Sequence, residues 1–158
     1  MNRAILIAFT LAAFGMSACS GGEKSAGAQV EADISVGSTA ERLSDTSPMR
    51  TYLGQELQVT TQVMTSGGNR LNIVVAKNTV INAGTYNVGI GTDVQAGFTV
   101  PGSSGVVFFE TGTFNLTAVQ WTSGGHLTGT FADLHRPADS LGLAPEASAD
   151  GSVNIAVP

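Results

Sequence analysis

Side chains able to do chemistry are few in this chain. It has one cysteine, Cys19, and two histidines, His126 and His135, with Asp133 between the histidines and Glu110 before them. A zinc site needs ligands that converge on one point. His126 and His135 stand nine residues apart, so they share no helical turn, and on a regular strand an odd separation places them on opposite faces. The ordinary reading is favoured: His126 is a polar residue beside a turn, His135 a residue at a strand end, and no metal is expected.

Other constellations fare no better. A serine hydrolase presents its nucleophile on a strained Gly-x-Ser-x-Gly turn, and Gly102-Ser103-Ser104-Gly105 lacks that spacing. Glu110 and Asp133 could serve as paired carboxylates only if folding brought them together. Asp93 follows Gly91 without the spaced oxygen ligands of a calcium loop, and Gly89-x-Gly91 lacks the third glycine and the helix of a dinucleotide site. No catalytic residue and no cofactor are therefore expected, and an enzyme, most simply a hydrolase, is the least favoured function. Trp121 and Tyr86 are candidate contacts for a ligand or partner, because rigid aromatics concentrate binding energy. The competing reading, that Trp121 closes the core at the end of a hairpin, is preferred.

Cys19 has the strongest context. Arg3 precedes an apolar run over residues 4–14, which is the length of a signal-peptide hydrophobic region and short for a membrane span. Gly15-Met16-Ser17-Ala18-Cys19 then resembles the lipobox of bacterial lipoproteins, with Met16 at the position where Leu is usual. The resemblance implies cleavage between Ala18 and Cys19, a diacylglyceryl group on the thiol, and further acylation of the new N-terminus in Gram-negative bacteria. More than one acyl chain makes attachment effectively permanent. Ser20, in place of the Asp that retains enterobacterial lipoproteins at the inner membrane, implies the outer membrane; the inner membrane or a Gram-positive cell membrane is the alternative. Three segments follow: a signal peptide over 1–18, a lipidated cysteine and flexible linker over 19–29, and one domain over 30–158.

Bulk composition agrees with export. The chain has 158 residues, enough for one core, and 42% are hydrophobic while 12% are charged. Its surface must be polar mainly through Ser, Thr, Asn and Gln, which argues against a helical bundle with Lys and Glu on its outer faces. The net charge is −5, and losing Arg3 with the signal peptide leaves 6 of the 7 basic side chains against 12 acidic ones. Nucleic acid is excluded as a partner, since phosphate binding needs clustered Lys and Arg.

Apolar residues recur with period two from about residue 30, and the breaks are Gly, Ser and Asn clusters. Residues 56–76 read as a hairpin, Leu57, Val59, Thr61 and Val63 answering Leu71, Ile73 and Val75 across Thr65-Ser66-Gly67-Gly68-Asn69. A second hairpin sets Phe114, Leu116 and Ala118 against Leu127, Gly129 and Phe131 across Thr122-Ser123-Gly124-Gly125. The shared Thr-Ser-Gly-Gly turn is read as convergence rather than duplication. Val106-Val107-Phe108-Phe109 predicts a central strand covered on both sides; Tyr86, Val88 and Ile90, residues 98–100, and Val153, Ile155 and Val157 predict three more. Residues 136–151, with Pro137 and Pro145, predict a surface loop. About eight short strands define an all-β fold, an antiparallel β-sandwich or a small β-barrel. Gly112-Thr113-Phe114 and Gly129-Thr130-Phe131 resemble a motif of small β-rich surface and periplasmic lipoproteins.

The expected function is a membrane-anchored, non-enzymatic envelope lipoprotein whose β domain binds an envelope protein as an accessory, adhesion or assembly module. The alternative is a carrier of a small apolar ligand in a barrel cavity lined by Phe108, Phe114, Phe131 and Ile155.

Overall fold

A computed structural model describes residues 29–77, 79–80, 82–99, 101, 105–140 and 145–158. The signal peptide, Cys19, linker residues 20–28 and Ser103 lie outside the described residues. Gln29, expected to belong to the linker, is fixed: its N–H donates to Asp45 O at 2.8 Å and its carbonyl accepts from Asn154 N at 2.8 Å.

The alternating pattern produces strands throughout and no helix among the described residues. In chain order they are β1 (Val30–Val36), β2 (Thr39–Asp45), β3 (Met49–Leu53), β4 (Glu56–Thr60), β5 (Arg70–Ala76), β6 (Gly84–Asn87), β7 (Val94–Thr99), β8 (Val106–Phe108), β9 (Thr111–Val119), β10 (His126–Arg136) and β11 (Ala147–Ala156). A six-stranded sheet runs β2-β1-β11-β10-β9-β6 and a five-stranded sheet runs β3-β4-β5-β7-β8, every ladder antiparallel. Each sheet has two edge strands, so the fold is a sandwich and not a closed barrel.

The core lies between the sheets. Val30, Ala32, Ile34, Leu43, Phe114, Leu116, Phe131 and Ile155 face Leu57, Val59, Leu71, Ile73, Val75, Ala96 and Phe98, all at most 2% exposed. One inward row of the larger sheet reads Phe114–Phe131–Gly151–Ala32–Leu43. Two rings stand beside a residue with no side chain. A Cβ on Gly151 would come 2.1 Å from Glu31 O and 2.5 Å from Phe131 Cζ, so glycine is what lets the Phe131 ring lie over β11.

Several sequence expectations are corrected. Residues 136–151 are not one loop: β10 ends at Arg136, β11 starts at Ala147, and only 137–146 connect them. Small residues hid the strand, whose Ala147 and Ala149 are buried while the aromatic and branched neighbours fill the volume. Val106-Val107-Phe108-Phe109 is no central strand. β8 is an edge, and Phe109 belongs to the crossing between sheets, its N–H bonding Ala96 O on one sheet while the Glu110 N–H bonds His135 O on the other. Strand β6 stops at Asn87; Val88 makes only a bridge to Val94, and Ile90 is 68% exposed. Thr61 and Val63 fall beyond β4. A bulge at Thr117 moves Ala118 to the outer face opposite Thr128, so Val119, opposite Leu127, takes the inner place.

The two Thr-Ser-Gly-Gly turns close with similar bonds, Gly68 N to Thr65 O at 2.8 Å and Gly125 N to Thr122 O at 2.7 Å. Positive φ falls on the second glycine of one, Gly68 at 77°, and on the first of the other, Gly124 at 78°. The same four letters thus build two different turns.

On β3, burial raises the Tyr52 phenol above its ordinary value, and its buried hydroxyl has no hydrogen-bond partner among the described residues. Lys77 Nζ sits 5.1 Å from the ring centre. The unfolded chain therefore loses this proton first as pH rises. We expect stability to hold below about pH 10 and to fall as pH climbs through the phenol range. Tyr52→Phe should remove that part of the alkaline loss in urea melts taken across pH 9–11; an unchanged alkaline slope would refute it.

Candidate functional site

Of the residues singled out from sequence, Glu110 and His135 are brought to adjoining backbone, the Glu110 N–H donating to His135 O at 2.9 Å. His126 and His135 share a face after all. Between Phe131 and Leu134 strand β10 spends three steps against two on β11, and the bulge contains Asp133 at φ 54°. One inserted residue turns the odd separation into an even one, so both histidines point outward from opposite ends of β10. His126 Nδ1 lies 3.2 Å from Asn154 Oδ1, and His135 Nε2 lies 3.3 Å from Glu146 Oε1. Glu110 pairs with Arg136 at 3.5 Å, while the Asp133 N–H donates to Asp150 Oδ1 at 2.8 Å. The Glu110 side chain and the Asp133 backbone thus serve separate partners. Among the described residues, no group of three or more His, Cys, Asp or Glu is placed to hold a metal.

Trp121 and Tyr86 are both half-buried against the core. The indole N–H of Trp121 donates to Val80 O at 2.7 Å, and the Tyr86 hydroxyl donates to Asn82 O at 2.9 Å. Each uses its polar atom to hold the segment between β5 and β6. Of the residues expected to line a carrier cavity, Phe114, Phe131 and Ile155 are fully buried, with the Phe114 and Phe131 ring centres 5.9 Å apart. Phe108 pairs with Gly97 on the outward face of the other sheet, away from those three.

The outward face of the larger sheet is broad and polar. Thr111, Thr113, Asn115 and Thr117 of β9 and Thr130 of β10 are exposed there. Asp150, Asp33 and Arg42 form one row across β11, β1 and β2. Two aspartates directly opposite would repel, and Arg42 offsets this by reaching Asp33 at 3.6 Å and the nearly buried Glu31 at 3.4 Å. The shallow notch at this row is about 300 Å³, lined also by Glu41 and Ser148. It can present carboxylates and a guanidinium to a polar partner.

A second arrangement escaped the sequence reading. Glu41 and Asp45 are four residues apart on β2, hence on one face, and that face looks across the open side of the sandwich. The Asp45 carboxylate, 3% exposed, accepts from Ser47 N at 2.8 Å, from Gln62 N, and from Val63 N at 3.3 Å. Glu41 Oε2 accepts from Ser66 N at 2.6 Å. The two carboxylates strap the segment between β4 and β5 over the gap. An even spacing of acidic residues around a buried Leu43 was the available signal, and it looks like an ordinary solvated strand face. Asp45→Ala should cost about 2 kcal/mol, because it removes the charged acceptor of three backbone N–H donors. The check is a lower urea midpoint at unchanged slope; a loss below about 1 kcal/mol would refute the strap.

The described chain is thus a two-layer antiparallel sandwich with a polar outward face on its larger sheet and a carboxylate-held strap. It matches no known family model, and neither curated proteins nor solved structures show significant similarity to it.

Proposed function

We propose that the chain is a lipid-anchored envelope protein, held in the membrane through Cys19, whose sandwich binds an envelope partner rather than catalysing a reaction. The observation that carries this reading is the position of the only thiol. Cys19 follows an apolar segment and two small residues, and it precedes Gln29, the first of the described residues, by ten positions. Acylation there holds the sandwich close to the membrane. The side chains of His126, His135 and Glu110, each paired with its own neighbour, support binding over catalysis.

The outer membrane is the proposed location, on the strength of Ser20. A partner would meet polar and acidic surface. The ends of the strands away from Gln29 carry Glu110 and Glu146 on one sheet, with Glu56 and Asp93 on the other. Affinity capture from intact envelopes with the anchor retained tests the reading. One envelope protein should be recovered in fixed ratio to the bait, at a level reduced by charge reversal of Glu56 and Asp93. Recovery of membrane lipid alone would defeat it.

A further inference from the structure

We infer that the corner of the sandwich where the chain enters is a membrane-contact face, on which Met49, Val63 and Met64 meet the bilayer that Cys19 anchors; this rests on the lipid-anchor reading above.

Four backbone and side-chain bonds build that corner around one residue. The Gln29 N–H donates to Asp45 O, so the entering chain is fixed at the end of β2. The Asp45 carboxylate then holds Ser47, two residues before β3, together with Gln62 and Val63. Gln62 Nε2 also donates to Ser47 O at 2.8 Å. The entry point, the start of β3 and the strap therefore move as one piece.

This piece carries the largest share of the domain's misplaced apolar surface. Met49 is 57% exposed, Val63 41% and Met64 52%; among the described residues the other two exposed large apolar side chains are Leu53, at the far end of β3, and Ile90, in the connection between β6 and β7. Single exposed apolar residues need no explanation, but three on one rigid corner do. Methionine is an unbranched, adaptable side chain suited to irregular surroundings such as the acyl boundary.

Chain length makes lipid the occupant. From Cys19 to Gln29 the chain can extend at most roughly 35 Å, at about 3.5 Å per residue. The corner is where this leash joins the domain, so it is the part that is always within that reach of the acyl chains. Charge points the same way. Arg70 lines a shallow groove of about 330 Å³ with Met49, Thr60, Thr61 and Gln62. The Asp45 carboxylate is turned onto backbone amides and that of Glu31, level with Ser44 on β2, onto Arg42, while Glu56, Asp93, Glu110 and Glu146 sit at the far strand ends. An anionic bilayer surface thus meets Arg70 at this corner and would meet carboxylates at the other.

The test uses the full acylated protein in vesicles of phosphatidylethanolamine and phosphatidylglycerol. An environment-sensitive fluorophore is attached to Met49→Cys, Met64→Cys or Ile90→Cys; the acylated Cys19 sulfur does not react. Labels at 49 and 64 should shift to the blue, brighten several-fold and be quenched by nitroxide-bearing lipid, with the label at 90 unchanged. Equal, aqueous spectra at all three positions would overturn the inference. So would a blue shift at 49 and 64 that appears without lipid in the soluble Cys19→Ser protein as its concentration rises, which would mean that a second copy covers the corner. The mass of the N-terminal peptide separates the two claims: an acylated Cys19 with aqueous labels defeats only the contact face, whereas a bare Cys19 defeats the anchor and the contact face together.

Discussion

Phe131→Ala should lower the unfolding free energy by about 3–5 kcal/mol, the largest stability loss expected from a single truncation in this domain. Phe131 is 2% exposed, its ring centre lies 5.9 Å from that of Phe114, and it covers the bare backbone of Gly151. Its removal deletes the contact with Phe114 and leaves a cavity over a residue that has no side chain to fill it. β10 and β11 are long, antiparallel and near the centre of their sheet, so little can collapse into the gap. Urea melts should show a lower midpoint with an unchanged slope. A loss under about 1.5 kcal/mol would mean that the row Phe114–Phe131–Gly151–Ala32–Leu43 is not the rigid centre of the larger sheet. Phe131→Leu, which keeps much of the volume, should lose less than the alanine variant.

Cys19→Ser should change where the protein is found rather than how it folds. In the proposed anchor the thiol is the nucleophile that takes the acyl chains, and a serine hydroxyl is far less nucleophilic at neutral pH. The variant is expected either in the soluble fraction or as an unprocessed precursor, whereas the parent should need detergent for extraction. At roughly 0.8 kcal/mol per buried methylene, the difference between several acyl chains and none amounts to nearly complete transfer between fractions. The urea midpoint should be unchanged, since Cys19 precedes the first residue bonded into the sandwich. A mature-sized Cys19→Ser product that still requires detergent would sink the anchor and, with it, the proposed location.

Much of the architecture was legible along the chain. The two hairpins show because their inward positions are large and apolar and their outward ones are Thr, Gln and Asn, so the period of two is unmistakable. β11 was not legible over residues 147–151, where both faces carry small side chains and the alternation has no amplitude. Val106-Val107-Phe108-Phe109 misled for the opposite reason, since an edge strand leading into a crossing between sheets buries apolar groups as a central strand does. The histidines were misplaced by one inserted residue. A bulge depends on the fit of two strands and leaves no mark at Ala132-Asp133 that a reader of the chain could separate from an exposed pair.

By itself, then, the sequence determined what is local: an apolar run over residues 4–14 with a lone thiol after it, the alternation that makes strands, the glycine-bearing turns, and the shortage of groups that could do chemistry. These follow from residue type and spacing over a few positions. Only the tertiary structure decided that the sheets stay open as a sandwich, that Glu41 and Asp45 strap its open side, that His126 and His135 share a face, and that Met49, Val63 and Met64 gather where the chain enters. Each depends on which strands pair and in what register, and register is settled by long-range packing between residues that no short window contains.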